Sequence, residues 1–268
     1  MRTHVCSLMM VAMAACTSTP TKTASVTGQI QLGFLTSGEQ ADGVAIDPTT
    51  GHPWYLVPGR GLVESDATTG ALISEIDFGA HGLDIAPGNP GTSSSDLAFR
   101  SDGRMVVSTS SEGYLYDPVQ QTTTPYFCLV QAPTGEQNQN NALTIDEQGN
   151  RIFAAPVTYQ VEGSQMVADR LVFYAESSGT ASGDANMAGG FIAQGLFWDA
   201  ATQELLAVTE GTLARVGVDG SITDKTELEG VTQAQGVYAD SNGVHVLDGA
   251  AGTITTFTRP TFDGLPVE

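Results

Sequence analysis

The 268-residue sequence predicts an all-β protein, and three features support this prediction. Glycine is abundant at 31 residues, while charged residues make up only 15% of the chain, so turns are expected to be frequent. No segment between the two ends carries an apolar stripe of helical period over three turns. Short apolar runs alternate instead with turns rich in Asp, Gly, Pro and Thr, which is typical of strands joined by tight turns. The length fits one domain, which we place at residues 27–268.

Five stretches of the chain share one pattern, in which a short strand, a turn containing Asp or Ser and a second strand follow one another. They are ADGVAIDPTTGHPWYLV from Ala41, SDLAFRSDGRMVVSTS from Ser95, NALTIDEQGNRIFAAP from Asn141, QGLFWDAATQELLAVTEG from Gln194 and QGVYADSNGVHVLDG from Gln235. Two further strand-like segments follow most of them. Units of four antiparallel strands that start about 41 to 54 residues apart are the sequence signature of β-propeller blades. The sequence therefore predicts a β-propeller of about five four-stranded antiparallel blades, with six shorter blades as the alternative.

The first and last parts of this region are expected to close the ring together. The fifth unit supplies only three strands, and the two prolines in RPTFDGLPVE leave little room for a fourth. Near the N-terminus, GQIQLGFL places Ile30, Leu32 and Phe34 on one face of a strand. We expect this strand to become the outer strand of the last blade, which removes an exposed sheet edge.

The third unit is the least regular of the five. Its segment ESSGTASGDANMAGG carries no strand signal, so we expect the outer strand of that blade to be missing, short or displaced. In the fourth unit, we interpret Trp198 as a packing residue rather than as a platform for a ligand.

The N-terminal residues have the layout of a secretory signal. Arg2 precedes an apolar stretch from Val5 to Ala15, and small residues stand before Cys16. The stretch is too short to span a bilayer. Residues 1–15 are therefore predicted to be a signal peptide. Residues 16–26, which are rich in Ser and Thr and hold no large apolar group before Val26, are predicted to be a flexible tether.

The segment Met13-Ala14-Ala15-Cys16 resembles the lipobox of bacterial lipoproteins, with Met in place of the usual Leu. The resemblance implies that Cys16 is acylated and becomes the first residue of the mature chain. Thr17 beside it implies the outer membrane of a Gram-negative cell, on its periplasmic or surface face. An ordinary signal peptide cut at Ala14 or Ala15 is the alternative.

Cysteine and charge content restrict the other expectations. Cys6 leaves with the signal peptide, so Cys128 would have no partner for a disulfide within the mature chain, and we expect it to be a small core residue. The formal net charge is −20, with 30 acidic and 10 basic residues, and such a charge repels nucleic acid. A monomer without nucleic-acid partners is expected.

The strand starts ADGVAID, NALTID, QGLFWD and QGVYAD resemble those of NHL-repeat propellers and of the calcium-dependent lactonases related to gluconolactonase, over about residues 27 to 259. In the lactonases, carboxylates and asparagine amides at the start of the inner strands hold a metal in the central funnel. Asp42 and Asn141 match those residue types, whereas the other three residues of the column do not. The full column, one residue from each blade, is Asp42, Ser95, Asn141, Gln194 and Gln235.

The composition of this column favours binding over metal chemistry. One carboxylate among neutral oxygens is a poor site for a divalent cation, whereas amides suit a neutral polar ligand. We therefore favour a membrane-anchored, non-enzymatic binding or scaffold module for a small polar ligand or a protein partner, with no cofactor. The alternatives are a lactonase-type hydrolase with Ca²⁺ on Asp42 and Asn141, or a column that only faces water. His52, His81 and His245 lack zinc-site spacing.

Overall fold

The computed structural model describes residues 22–77, 96–109, 112–128, 136–160, 166–187 and 191–260. Within these residues the chain forms 21 β-strands and no helix. The described part accordingly contains no helix long and apolar enough to cross a membrane. The strands form five antiparallel blades, so the predicted class, architecture and blade number are confirmed.

Each blade is a sheet whose strands follow one another from the centre of the ring outwards. Blade one contains β3 (Gly43–Ile46), β4 (Pro53–Val57), β5 (Gly61–Ser65) and β6 (Leu72–Asp77). Blade two contains β7 (Asp96–Phe99), β8 (Met105–Ser108), β9 (Glu112–Asp117) and β10 (Thr122–Cys128). Blade three contains β11 (Glu136–Asp146), β12 (Arg151–Gln160), β13 (Met166–Ala175) and β14 (Ala181–Asn186). Blade four contains β15 (Gly195–Asp199), β16 (Glu204–Thr209), β17 (Thr212–Val216) and β18 (Ile222–Leu228). Blade five contains β19 (Ala234–Asp240), β20 (Gly243–Asp248), β21 (Thr253–Phe257) and β2 (Val26–Gln31).

The inner strands form a closed ring. Strands β3, β7, β11, β15 and β19 each pack beside the next, and β19 returns to β3. A separate cluster of buried apolar residues fills each of the five interfaces between blades. Val44, for example, faces blade five, whereas Ala45 faces blade two. Because each inner strand is covered on both faces, its sequence is an almost continuous apolar run, which is why the repeats were visible.

The predicted closing strand is present. β2 pairs antiparallel with β21 and completes blade five. Leu32 and Phe34, which follow β2, are buried between blades five and one, and Ile30 is half-buried. The N-terminal segment thus supplies both backbone pairing and apolar contacts to the last blade, as predicted.

The chain enters the propeller earlier than the sequence indicated. β1 (Lys22–Ala24) pairs in parallel with β18 and gives blade four a fifth strand. Ala24 is buried against that blade, and Lys22 Nζ lies 2.9 Å from an Asp224 carboxylate oxygen. Lys22–Ala24, which fall within the range predicted as the tether, are therefore paired with the propeller. Residues 1–21, with the predicted signal peptide and Cys16, lie outside the described residues.

Two local expectations were wrong. Blade three does have a regular outer strand, because β14 pairs antiparallel with β13 along Ala181–Asn186. Its small and polar side chains are mostly exposed, so the strand is held by backbone pairing and left no apolar alternation in the sequence. Cys128 is exposed at the end of β10 rather than buried, since the alternation of that strand turns Phe127 into the core instead.

Candidate functional site

Asp42, Asn141, Gln194 and Gln235 stand at the same end of the apolar runs of the inner strands, an end that we call the channel mouth. Asn141 lies within β11 and Gln235 within β19, whereas Asp42 and Gln194 directly precede their strands. Small residues follow the column because the strands approach closely there. A Cβ on Gly195 would lie 2.6 Å from Gly236 Cα, and one on Gly236 would lie 2.7 Å from Val44 Cγ1. A Cβ on Gly43 would lie 2.3 Å from an Asp96 carboxylate oxygen. Side chains larger than hydrogen would thus force the inner strands apart.

The structure brings two residues of the column into one cavity. Gln194 is half-buried and Gln235 is buried, and both line a cavity of about 440 Å³ between blades four and five. Asp42 and Asn141 are buried, and neither lines this cavity. Ser95 lies outside the described residues.

The cavity wall is a set of polar side chains on a braced backbone. Besides Gln194 and Gln235 it includes Glu210, Thr232 and Gln233. The Gln194 N–H donates to the Val208 carbonyl at 2.7 Å, and the Ala234 N–H donates to the Glu210 carbonyl at 3.1 Å. These bonds tie the residue before β15 and the start of β19 to the second strand of blade four and the turn that follows it.

Asp248 fixes the loop that precedes β19. One of its carboxylate oxygens accepts from the Thr232 N–H at 2.8 Å and from the Thr232 hydroxyl at 3.1 Å. The other accepts from the Ala251 N–H at 3.0 Å. Because the loop is held in this way, Gln233 and Gln235 are placed on the cavity wall by a rigid support.

Asp96 is a buried carboxylate that the sequence analysis missed, because it assigned the neighbouring Ser95 to the column. One Asp96 oxygen accepts from its own strand, at 2.8 Å from Leu97 N, and the other accepts from blade three, at 2.9 Å from Leu143 N. Burial raises the pKa of the Asp96 carboxyl well above its usual range, the two backbone N–H groups oppose this, and the charge of Asp42 adds to it. Ser95 and Asp96 are adjacent polar residues, and this pair in the sequence indicated that either of them could occupy the column.

Asn140 is the second missed residue, next to the predicted Asn141. Its Nδ2 donates to Ser108 Oγ at 2.7 Å, and the Asp96 N–H donates to the same hydroxyl at 3.1 Å. The Asn140 Oδ1 atom is buried without a hydrogen-bond partner. The group forms a polar junction between blades two and three.

The oxygen atoms of Asp42, Asp96 and Asn141 are poor ligands for a calcium ion. Calcium takes six to eight oxygen ligands, and its affinity follows the number of charged ones. Both Asp96 oxygens already accept backbone N–H groups, which leaves Asp42 with neutral amides. Among the described residues, no group of three or more His, Cys, Asp or Glu side chains is placed to hold a metal. His52 and His245 each bind a carboxylate, and His81 lies outside the described residues.

Further along the channel the lining becomes apolar. A cavity of about 130 Å³ there is lined mainly by inner-strand side chains that include Leu97, Phe99, Ile145, Phe197 and Tyr238. The polar groups are therefore concentrated at the mouth, where a ligand would meet hydrogen-bonding groups first.

No model of a known protein family matches the chain, and no curated protein matches it. Among solved structures, the chain resembles one in a nidogen–laminin complex, with a TM-score of 0.50 and 12% identity over 82% of this chain and 80% of that one. It resembles a gluconolactonase from Xanthomonas campestris with a TM-score of 0.50 and 14% identity, over 81% of this chain and 72% of that one. It also resembles, with a TM-score of 0.46 and 16% identity, the extracellular domain of a one component system from B. thetaiotaomicron, covering 81% of this chain but only 27% of that one. At these identities the likeness shows the fold alone, which agrees with the five blades that the described residues form.

Proposed function

We propose that this propeller is an exported, lipid-anchored binding module that takes a small neutral polar ligand at the mouth of its channel. The observation that carries the proposal is the cavity of about 440 Å³ shared by Gln194 and Gln235. Its size lies within the range of roughly 300–1,000 Å³ that is usual for ligand pockets.

The chemistry of the wall favours a neutral ligand. Gln194, Gln233 and Gln235 offer amide groups that each carry donors and an acceptor, and Thr232 adds a hydroxyl. Glu210 is the single charged side chain among the lining residues. A small anion would meet this carboxylate within a protein of net charge −20, and a divalent cation would find one carboxylate only. A sugar or a peptide carbonyl matches the wall better.

The same wall favours binding over hydrolysis. Amides and a hydroxyl position a ligand through hydrogen bonds, whereas general acid–base chemistry needs a titratable pair within reach of the reacting atoms. The buried Asp96 carboxylate does not line this cavity, and it already accepts two backbone N–H groups and joins two blades. Its role in the fold supports the non-enzymatic interpretation.

Binding of a neutral panel, measured by ligand-observed NMR in the presence of a chelator, tests this proposal. Replacing Gln194 or Gln235 with Ala should weaken binding by about 0.5–1.5 kcal/mol each, the net worth of a neutral hydrogen bond. Gln121→Ala, on a turn of blade two, is the control and should leave affinity unchanged. Binding or lactone hydrolysis that disappears with the chelator would overturn the proposal in favour of the metal-dependent lactonase. A protein partner whose affinity is unchanged by either glutamine substitution would also contradict the proposal.

The lipid anchor is the second part of the proposal, and the lipobox-like segment ending at Cys16 supports it. Because β1 already includes Lys22, at most residues 17–21 would separate the modified cysteine from the propeller. Labelling with a radioactive fatty acid should mark the wild type but not Cys16→Ser, and the variant should leave the membrane fraction. If the wild-type protein is not labelled, the proposed lipid anchor is contradicted. Lasting attachment requires more than one acyl chain, because a single chain holds weakly.

A further inference from the structure

We propose a second ligand site, on the opposite face of the ring, that binds the ring of a neutral saccharide. A cleft of about 350 Å³ lies between blades three and four, and Arg151, Trp198 and Gln203 are among its lining residues. Gln194 precedes β15, whereas Trp198 lies near the end of that strand, so the cleft and the channel mouth are at opposite ends of the inner strands. The site is separate from the one proposed above.

Trp198 departs from the blade repeat. The equivalent positions of the other four blades hold smaller apolar residues or a phenylalanine, namely Ile46, Phe99, Ile145 and Ala239. Trp198 is half-buried and lines the cleft, whereas Trp54, the other tryptophan of the chain, is buried in the core. The repeat therefore does not require a tryptophan here.

The aromatic wall is fixed in place. The Trp198 ring stacks on Phe153, with centroids 5.6 Å apart and planes inclined by 30°. Its backbone N–H donates to Thr144 Oγ1 at 2.9 Å, across the interface between the two blades. A wall held from two blades loses little freedom when a ligand stacks on it.

Arg151 is fixed beside this wall. Its Nε and Nη2 atoms donate to one Asp146 oxygen at 3.2 and 2.7 Å. Its guanidinium lies 5.2 Å from the centroid of Phe153 and 5.6 Å from that of Trp198. The pairing depends on Gly149, because a Cβ there would lie 2.2 Å from the Asp146 oxygen and 2.8 Å from Arg151 Nε. The turn is thus shaped around an arginine whose charge is already balanced.

The ligand class follows from these groups. A cation would find the Asp146 carboxylate already paired with Arg151, and an anion would have to compete with Asp146 for the guanidinium. A saccharide ring carries an apolar C–H face that can lie on Trp198 and hydroxyl edges that can reach Arg151 and the amides of Gln148 and Gln203. A neutral sugar uses the aromatic surface and the donors together.

The intrinsic fluorescence of the protein provides the test. In Trp54→Phe, emission comes from Trp198 alone, since the chain has two tryptophans. Cellohexaose, maltohexaose and xylohexaose are the probes, and at least one should change the emission saturably and protect Trp198 from quenching by acrylamide. Arg151→Lys, which keeps the charge but loses the planar group, should weaken binding about three- to tenfold. Gln203→Ala should weaken it by a similar factor through the lost hydrogen bond.

Matched controls separate this site from the channel mouth. Gln121 and Gln203 have nearly the same left-handed backbone, with φ of 53° and 55°, so Gln121→Ala carries the same backbone cost without touching the cleft. Gln121→Ala should bind the saccharide as the parent does, and Gln194→Ala should leave the Trp198 emission response unchanged, because Gln194 does not line the cleft. If Trp54→Phe does not fold, the difference between the emission of the wild type and that of Trp198→Phe replaces this signal. No saturable response to any of the three probes, or equal responses in the parent, Arg151→Lys and Gln203→Ala, would overturn the proposal. Neither result would bear on the channel mouth.

Discussion

Replacing Asp96 with asparagine should destabilise the ring at the junction of blades two and three. The wild-type carboxylate accepts from Leu97 N at 2.8 Å with one oxygen and from Leu143 N at 2.9 Å with the other. An asparagine has one acceptor oxygen, so its NH₂ group must face one of these two N–H groups and leave it buried without a partner. Such a loss costs about 1–3 kcal/mol. At roughly 2–4 °C per kcal/mol for a chain of this size, Tm should fall by about 2–12 °C.

The pH dependence of this effect has a defined sign. Burial raises the pKa of the Asp96 carboxyl well above its usual range, so the native state holds this proton more tightly than the unfolded state does. The stability from that proton is fully present below the unfolded pKa of about 3.9 and is lost as the pH rises through the folded pKa. Asparagine does not titrate, and its NH₂ group cannot accept a hydrogen bond, whereas the hydroxyl oxygen of a protonated Asp96 still can. The stability advantage of the wild type should therefore be largest at acid pH and narrow as the pH rises.

Urea unfolding of both proteins at about pH 4 and about pH 8 measures this difference directly. Asp66→Asn is a control of opposite sign. Hydrogen bonds from Thr69 and Thr68 lower the pKa of the Asp66 carboxyl, so the stability advantage of the wild type over this variant should grow as the pH rises. A difference in unfolding free energy between the wild type and Asp96→Asn that widens with rising pH would refute the argument from burial. An unchanged Tm at every pH would refute the junction itself.

Three further predictions concern other parts of the chain. A protein that begins at Leu32 lacks β1 and β2, and its Tm should lie at least about 5 °C below that of a protein that begins at Lys22. The lost ladder hydrogen bonds and the half-buried Ile30 together contribute about 2–4 kcal/mol to the free energy of unfolding. Equal Tm values would rule out the closing role of β2. Although burial alone would raise it, the pKa of Asp240 is lowered, because hydrogen bonds from His245 and from the Asn242 N–H outweigh burial. This contribution to the unfolding free energy is present above the unfolded pKa and lost as the pH falls through the folded pKa. Urea titrations of Asp240→Asn should therefore show a smaller loss of unfolding free energy at acid pH than those of the wild type. Equal losses in the two proteins would contradict the prediction. The exposed Cys128 should react with maleimide in the native protein almost as fast as in urea, and strong protection of the thiol would contradict the position of β10.

The architecture was predictable because the packing of a propeller leaves a regular trace in the sequence. Inner strands are covered on both faces, so Val44, Leu97, Leu143, Leu196 and Val237 recur in apolar runs that each begin after a polar residue. Outer strands leave no such trace. β1 is three residues long and β14 consists of small exposed residues, and both are held mainly by pairing with a neighbour. Their presence depends on the sheet edge that receives them.

The candidate sites were only partly predictable, for a related reason. Gln194 and Gln235 were recognised because the repeat aligns them, and the ring brings them to one cavity. Asp96 was missed because a charged residue within a repeat was expected to face water, whereas the Asp96 carboxylate is buried. Arg151 and Trp198 belong to different blades, so their contact depends on blade order and on the turn that Gly149 permits. The sequence alone assigned Trp198 to packing, and it does pack on Phe153 while also lining the cleft.

The side-chain amide signals of Gln194 and Gln235 in ¹⁵N-labelled protein test the central claim most directly. A neutral polar compound selected by the ligand screen is titrated in the presence of a chelator, and the amide signals of Gln121 serve as the internal reference. If the channel mouth is the binding site, the signals of Gln194 and Gln235 shift saturably and those of Gln121 stay in place. Shifts that appear only after calcium is added, or saturable binding that leaves both glutamine signals unmoved, would contradict the claim.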